Sequence, residues 1–179
     1  MLMSDRPSFI IDGKVYVSAG VLFYTEDPRG RVYFMMQGTK DAARVEDFGG
    51  KSEKGDASIQ DVAFRECMEE LNHQGGVTKE FLTEHMQSKR SIEYRIPELK
   101  YMLYIVYVPY SFKEGLDVEV FGDYETHDNI DRSVFWITYH DLMKLPSYAI
   151  HARLKPDEFK INMSLVIAQG MTKKGSKIF

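Results

Sequence analysis

Three glutamates and one arginine, Arg65, Glu66, Glu69 and Glu70, form the group of residues best suited to chemistry. At about 100° per residue, the three glutamates fall within an arc of roughly 100° on one side of a helix. Like charges one turn apart destabilise a helix, and removing them from water costs more. Clustered carboxylates either stay in water or are neutralised by bound cations, and they suit hard divalent ions such as Mg²⁺. Arg65 lies four residues before Glu69, which is the spacing of an ion pair.

A glycine-rich loop and a helix must position these side chains. Gly49 and Gly50 open the loop, and Asp56 and Ser58 are both candidates for the N-cap of the helix. Apolar residues recur at helical spacing and predict one buried face, formed by Ile59, Val62, Ala63, Cys67 and Leu71. Glu66 lies beside this face. The lone cysteine is therefore interpreted as a buried core thiol rather than a nucleophile.

The stretch from Gly50 to His73 resembles the Nudix box of the MutT-like pyrophosphohydrolases. That box is Gly, five residues, Glu, seven residues, Arg-Glu, apolar, any, Glu-Glu, any, Gly, apolar. The chain has Gly50, five residues, Asp56, eight residues and then Arg-Glu-Cys-Met-Glu-Glu-Leu-Asn-His. Asp56 thus replaces a glutamate, one residue is extra, and Asn72 replaces the glycine that ends the helix. We expect the extra residue in the loop before Ile59, because the helical phase after it is intact.

The resemblance implies an α/β fold, a Nudix-type α/β/α sandwich with a central mixed sheet, in one domain over residues 1–179. It implies a Mg²⁺- or Mn²⁺-dependent pyrophosphohydrolase that cleaves the phosphoanhydride of a nucleoside diphosphate linked to another group. The substrate would be a small nucleotide derivative or a capped RNA, and the protein a monomer or a homodimer. Arg65 matches the orienting arginine of the box, and Glu69 and Glu70 match its catalytic carboxylates. The implied metal ligands are the carbonyl of Gly49 and the side chains of Glu66, Glu69 and Glu70.

Residues outside the glutamate helix are expected to complete the site. Members of this family draw a further acid, often the general base, from a distant loop, and the acidic segment 122–131 offers Glu125 and Asp128. Most acids of such a loop are simply solvated, and His127 is interpreted as a surface histidine. The remaining candidates, which would either meet the substrate or stay in solvent, are Lys51, Glu53 and Arg44.

The rest of the chain predicts alternating strands and helices around these residues. Strands are expected at 14–25, 31–37, 47–48, 91–96, 99–108, 117–121 and 133–138. Further helices are expected at 78–87, 140–145 and 156–169. The other segments are interpreted as a loose lead-in at 1–12, a flexible tail at 171–179, and loops at 38–46, 111–115 and 122–131. Strands with these helices suggest a mixed sheet between helical layers.

Composition narrows the class of protein. The 179 residues are 44% hydrophobic, enough for a substantial core, and the net charge of −4 provides no general field that would attract nucleic acid. The longest apolar run, 101–108, is too short to span a bilayer. One cysteine and an N-terminus without an apolar signal core fit a soluble protein of the cytoplasm.

Two other functions remain open from the sequence. The first is a non-catalytic Nudix-type domain that binds a nucleotide and acts as a sensor or interaction module. The second is an unrelated structural domain whose acidic helix face is solvated. All three glutamates of the box are present, which favours the enzyme.

Overall fold

The computed structural model describes residues 5–39, 44–154 and 163–164. The strands are β1 (Phe9–Ile11), β2 (Lys14–Tyr16), β3 (Ser18–Glu26), β4 (Val32–Thr39), β5 (Arg44–Glu46), β6 (Phe48–Lys51), β7 (Ile92–Ile96), β8 (Tyr101–Tyr107), β9 (Tyr124–Glu125) and β10 (Ile130–Thr138). The helices are α1 (Ile59–Glu70), α2 (Lys79–Met86), α3 (Tyr110–Gly115) and α4 (Tyr139–Lys144). Short 3₁₀ turns lie at Pro97–Leu99, Val118–Phe121, Ser147–Ala149 and Ala152–Leu154.

The middle layer is a mixed sheet with strand order β7-β8-β3-β4-β10-β9, in which β5 also pairs with β4 and β6 with β3. The pairing of β3 with β8 is parallel, and the other pairings are antiparallel. Strand β8 is buried along almost its whole length, as its continuous apolar sequence predicts for a strand covered on both faces. A separate hairpin joins β1 to β2.

Helical layers cover both faces of this sheet. One core cluster contains Val62 of α1, Leu82 of α2 and Phe112 of α3, packed on the face of β3 that carries Val21 and Phe23. On the opposite face, Leu22 and Tyr24 of β3 pack with Leu142 of α4 and with Ile150 and Leu154. The predicted α/β class with a mixed sheet between helices is confirmed. None of the helices in the described part of the chain is long and apolar enough to cross a membrane.

Several element predictions were wrong. The lead-in forms strand β1, because Phe9 and Ile11 pack on the core and Asp12-Gly13 turns the chain with positive φ. Segment 111–115 is helix α3, whose Phe112 ring lies 5.0 Å from the Phe81 ring. Segment 117–121 is a 3₁₀ turn in which the Asp117 side chain accepts a hydrogen bond from a backbone amide. The predicted loop 38–46 contains strand β5, and the predicted loop 122–131 contains β9 and the first residues of β10, which pair with each other.

Two further boundaries depend on contacts between distant segments. The strand expected at 14–25 is interrupted at Val17, where the chain passes from the hairpin into the sheet. Gly49 and Gly50 belong to strand β6 rather than to a loop, and Gly49 pairs with Gly20. A side chain at Gly20 or Gly49 is excluded because the Tyr101 hydroxyl lies against both glycines, where it donates a hydrogen bond to the buried Asp47.

Some predictions fall on residues outside the described ranges. These are the first four residues of the lead-in, residues 40–43 of the loop expected at 38–46, the tail at 171–179, and most of the helix expected at 156–169. Within that helix, Met163 is buried in the second core cluster, and the Ser164 hydroxyl lies 2.6 Å from that of Tyr139. The assignment of one domain to residues 1–179 stays a prediction.

Candidate active site

Helix α1 presents the glutamates at the edge of the first core cluster. Ser58 is its N-cap, because the Ser58 hydroxyl accepts a hydrogen bond from the amide of Asp61 at 3.1 Å. The apolar face is buried as predicted, and it includes Cys67, where burial raises the pKa of the thiol well above its usual value. The helix ends at Glu70 with Leu71 as its C-cap, and the next residue, Asn72, turns the chain away with a left-handed φ of +53°. The residues between β6 and Ile59 form the loop expected to hold the extra residue.

Arg65 is the residue that joins the loop to the helix. Its Nε and Nη2 donate to the two carboxylate oxygens of Asp56, each at 3.0 Å. Its Nη1 donates to Glu66 Oε1 at 3.1 Å and to Glu69 Oε2 at 3.0 Å, and Nη2 also reaches the carbonyl of Lys51 at 2.9 Å. The guanidinium is planar and presents its donors in a fixed fork, so these partners fix its orientation. Asp56 is therefore long enough to bind both Nε and Nη2 of Arg65.

Negative charge exceeds positive charge around this guanidinium. Burial alone favours the neutral form of Arg65, but the hydrogen bonds and charges of Asp56, Glu66 and Glu69 raise its pKa above the ordinary value. A fourth carboxylate, that of Glu53, lies 3.9 Å from Nη1. One cation thus faces four carboxylates, which leaves a local excess of negative charge that would attract cations.

Glu66 is the most buried of the three glutamates, with 9% of its surface exposed. Burial raises its pKa from 4.5 to about 7, against the opposing effect of Arg65 and with a further increase from the charges of Glu69 and Glu53. Its carboxylate packs against Gly50: a Cβ at that position would lie 2.5 Å from Glu66 Oε2. The glycine of β6 therefore leaves the space that this carboxylate occupies.

The pKa of Glu66 predicts that the metal-free protein loses stability as pH rises. Below the unfolded pKa the group is neutral in both states. Between pH 4.5 and about 7, Glu66 ionises in the unfolded chain but stays protonated in the folded protein. The free energy of unfolding therefore decreases over this range, until the pH has passed the pKa of Glu66 in the folded protein. From about pH 5 to about pH 8, the free energy of unfolding should fall by up to about 3 kcal/mol more than in Glu66→Gln. Urea unfolding of both proteins in chelator measures this difference, and parallel pH profiles would contradict it.

Gly50→Ala tests the close approach of the strand to Glu66. The added methyl group should displace the carboxylate, which we expect to lower activity by about 10- to 100-fold and to destabilise the fold by about 1–3 kcal/mol. Gly115→Ala is the matched control, because a Cβ there meets nothing within 4 Å and its φ is not positive. Enzyme assays and thermal unfolding report the two effects. Equal behaviour of the two variants would show that the contact with Gly50 does not matter.

Two buried polar residues bind Glu70, the last residue of α1. Gln37 of β4 donates from Nε2 to Glu70 Oε2 at 2.8 Å and to the carbonyl of Asp47 at 3.2 Å. Arg132 of β10 donates from Nη2 to the carbonyl of Glu70 at 2.7 Å. Neither residue was predicted from the sequence. The signal for Gln37 was a polar side chain directly after the apolar run of β4, which is costly to bury unless it has partners. Arg132 stands between Asp131 and Ser133 and carries no such signal.

The acidic loop meets the helix near Glu69. Glu125 is buried, and its two oxygens accept hydrogen bonds from the amides of His127 at 2.5 Å and of Asp128 at 2.8 Å. His127 Nε2 lies 3.7 Å from Glu69 Oε2, whereas the Asp128 side chain is exposed. The structure thus brings His127 to the glutamate helix, and the buried Glu125 binds the turn that carries it. The role of Glu125 or Asp128 as a base stays a prediction.

The remaining predicted residues lie around the site at different distances. The carbonyl of Lys51 accepts from Arg65 while its side chain is exposed, and the carboxylate of Glu53 is the more distant partner of the same arginine. Arg44 is exposed, and it pairs with Thr39 where β5 lies against β4. Gln37 pairs with Glu46 two residues further along the same two strands. A cavity of about 420 Å³ lies beside Gly50 and Lys51 and is also lined by Tyr101 and His151.

The residues of α1 fit a divalent ion by their chemistry. They supply three carboxylates on one helix, with an excess of negative charge that Arg65 neutralises only in part. Within the described ranges, no three histidine, cysteine or acidic side chains already converge as a metal site. Arg65 Nη1 lies between Glu66 and Glu69, so a bound ion would compete with this guanidinium for the same oxygens.

Comparison with known proteins finds similarity in structure but no match in sequence. No family model matches the chain, and no curated protein matches it. Solved structures similar to this chain include Nudix hydrolases. A C. elegans Ap4A hydrolase is 16% identical with a TM-score of 0.46, and the match covers 89% of this chain and 97% of that one. A second structure of C. elegans Ap4A hydrolase has 20% identity, a TM-score of 0.47 and coverage of 84% and 98%. A Nudix hydrolase from M. smegmatis has 10% identity, a TM-score of 0.43 and coverage of 92% and 88%.

Proposed function

We propose that this protein is a divalent-metal-dependent pyrophosphohydrolase that cleaves the phosphoanhydride bond of a nucleoside diphosphate linked to another group. One observation carries the proposal: Glu66 and Glu69 share the Arg65 guanidinium with Asp56 and, more distantly, Glu53, while the Glu70 carboxylate on the same helix accepts from the neutral amide of Gln37. A carboxylate as buried as that of Glu66 requires a compensating cation when it is ionised. Mg²⁺ or Mn²⁺ suits an all-oxygen ligand set of this kind.

The residues of α1 would each have a distinct part. Glu66, Glu69 and Glu70, with the carbonyl of Gly49, would hold the ion. When bound, the ion would polarise the phosphoryl oxygens of the substrate and lower the pKa of a water molecule. Arg65 fixes Glu66 and Glu69 through its fork, as described above.

Residues outside α1 would orient the last ligand and serve the substrate. Gln37 fixes Glu70 by donating to one of its two oxygens. The exposed ammonium of Lys51 lies beside the cavity, at a position suited to a substrate phosphate. Glu125 or Asp128 would accept the proton of the attacking water.

A non-catalytic nucleotide-binding or sensor domain is the second candidate. The observation that favours it is the position of Arg65 Nη1 between the oxygens of Glu66 and Glu69, where it takes up ligands that an ion would need. This alternative predicts nucleotide binding without metal-dependent turnover.

Product analysis on a panel of phosphoanhydrides tests both candidates. The panel contains nucleoside triphosphates, a nucleoside diphosphate sugar, dinucleoside polyphosphates, a pyridine dinucleotide and capped RNA. Each compound is incubated with Mg²⁺, with Mn²⁺ or with chelator. Cleavage into two phosphorylated products only in the presence of metal supports the enzyme. Binding of a panel compound without cleavage under any condition would instead support the sensor or binding domain.

A further inference from the structure

Asn72, the residue that ends the glutamate helix, uses its whole carboxamide to bind the acidic loop. Its Nδ2 donates to the carbonyl of Phe121 at 2.9 Å and to that of Tyr124 at 2.8 Å. Its Oδ1 accepts from both the amide and the hydroxyl of Thr126, each at 3.0 Å. A carboxamide offers two donors and one oxygen with two lone pairs, so these four bonds satisfy it completely. None of these bonds can be made by the glycine that the Nudix box has at this position.

The backbone at Asn72 makes this arrangement possible. Its φ of +53° is left-handed, a conformation that glycine adopts freely and that asparagine tolerates better than most residues. The helix therefore ends as it would with glycine, while the side chain projects to residues 49 to 54 positions later in the sequence. Asn72 thus serves as both a helix end and a link between two distant segments.

The segment that Asn72 holds carries the residues that meet the glutamate helix. Glu125 lies between two of the attachment points, Tyr124 and Thr126, and its carboxylate binds the next two amides of the loop after Thr126. Through that turn, His127 Nε2 comes to 3.7 Å from Glu69 Oε2. Displacement of the attachment points would move both the buried carboxylate and the imidazole relative to α1.

Arg132 attaches the start of the same segment. Its guanidinium donates to the carbonyl of Phe121 at 3.1 Å and to that of Gly122, as well as to the carbonyl of Glu70. Arg132 therefore fixes residues 121–122, but it makes none of the contacts at Tyr124 and Thr126. Glu125 itself pairs with Ile130 of β10, and Asn72 supplies the side-chain contacts that bind the flanking residues Tyr124 and Thr126 to the end of α1.

We propose that Asn72 is a positioning residue that holds the 121–128 segment on the end of α1 and so fixes the position of Glu125 and places His127 beside Glu69. This inference rests on the proposed function, since the position of the loop matters for turnover only if α1 carries the catalytic carboxylates. A misplacement of about 1 Å in such a group can cost about 100-fold in rate.

The test compares Asn72→Gly with His73→Gly. Both residues have a φ of +53°, so glycine suits the backbone of each, but His73 is exposed and lies outside the attachment. Asn72→Gly should lower kcat by about 10- to 100-fold while KM changes by less than about threefold. It should also raise amide hydrogen exchange in residues 121–128, relative to α2 as an internal reference. His73→Gly should leave kcat and loop exchange unchanged.

Thr126→Val provides a second variant that leaves the helix intact. It removes only the hydroxyl that donates to Asn72 Oδ1, so its effects on kcat and on exchange should have the same direction and be smaller. An Asn72→Gly protein with wild-type loop exchange, or with wild-type kcat, overturns the positioning role. If the wild-type protein cleaves nothing on the substrate panel, the proposed function fails, whereas unchanged loop exchange in Asn72→Gly is the result that refutes the attachment itself.

Discussion

Replacement of Glu69 or Glu70 by glutamine should remove most metal-dependent turnover and leave the fold intact. Each variant loses one anionic ligand of the proposed metal site, and we expect kcat to fall by about 1,000-fold. Glutamine keeps a carbonyl oxygen that can accept from Arg65 at position 69 or from Gln37 at position 70. Removal of one negative charge from the row should also stabilise the metal-free protein by a few tenths of a kcal/mol, roughly the cost of a like-charge pair on a helix.

Steady-state assays and unfolding curves of the metal-free proteins measure these two effects. Glu84→Gln is the matched control, because Glu84 is an exposed glutamate on α2, and its replacement should change neither quantity. Mn²⁺ affinity, followed by its paramagnetic effect on water relaxation, should fall in the two site variants alone. Near wild-type turnover in either variant would remove that residue from the proposed ligand set.

Arg65→Lys should lose both activity and stability although it keeps the positive charge. Lysine is a point donor and cannot reproduce the fork that binds both oxygens of Asp56 and also reaches Glu66 and Glu69. We expect the free energy of unfolding to fall by about 2–3 kcal/mol, because partly buried carboxylates lose their donor. Activity should fall by about 100-fold, as for other residues that orient metal ligands.

Arg95→Lys separates the loss of this geometry from a general effect of the substitution. Arg95 pairs with Asp12 at the protein surface, where 38% of the arginine side chain and 79% of the aspartate side chain are exposed. Exposed ion pairs contribute about 0–1 kcal/mol, so this variant should be close to wild type in unfolding and in turnover. If Arg65→Lys behaved like Arg95→Lys, charge alone would account for the role of Arg65.

Sequence patterns predicted those helices, strands and turns that are determined by residues close together in the chain. The 3.6-residue spacing from Ile59 to Leu71 predicted both the buried face of α1 and the position of its glutamates. Between the strands predicted at 14–25 and 31–37, Asp27-Pro28-Arg29-Gly30 turns the chain, with Gly30 at a φ of +83°. The helix predicted at 78–87 is α2, which Thr78 caps by accepting a hydrogen bond from the amide of Phe81.

The wrong predictions concern segments whose structure depends on distant partners. Strand β1 has only three residues, and it is defined by pairing with β2 and by packing on the core. Helix α3 is short, and it is stabilised by the contacts of Phe112 with Phe81 and Trp136. Gly49 and Gly50 suit a loop by composition, but the sheet needs them where Tyr101 and Glu66 approach the strand.

The sequence by itself determined the catalytic candidates and their common helix face, because residues within a few positions of one another have fixed relative positions in a helix. Only the tertiary structure decided what surrounds them. Gln37 reaches Glu70 across 33 residues, Arg132 reaches it across 62, and Asn72 binds Thr126 across 54. These contacts exist because the sheet places β4, β10 and the acidic loop beside the end of α1, and a spacing pattern along the chain contains no information about which distant strands become neighbours.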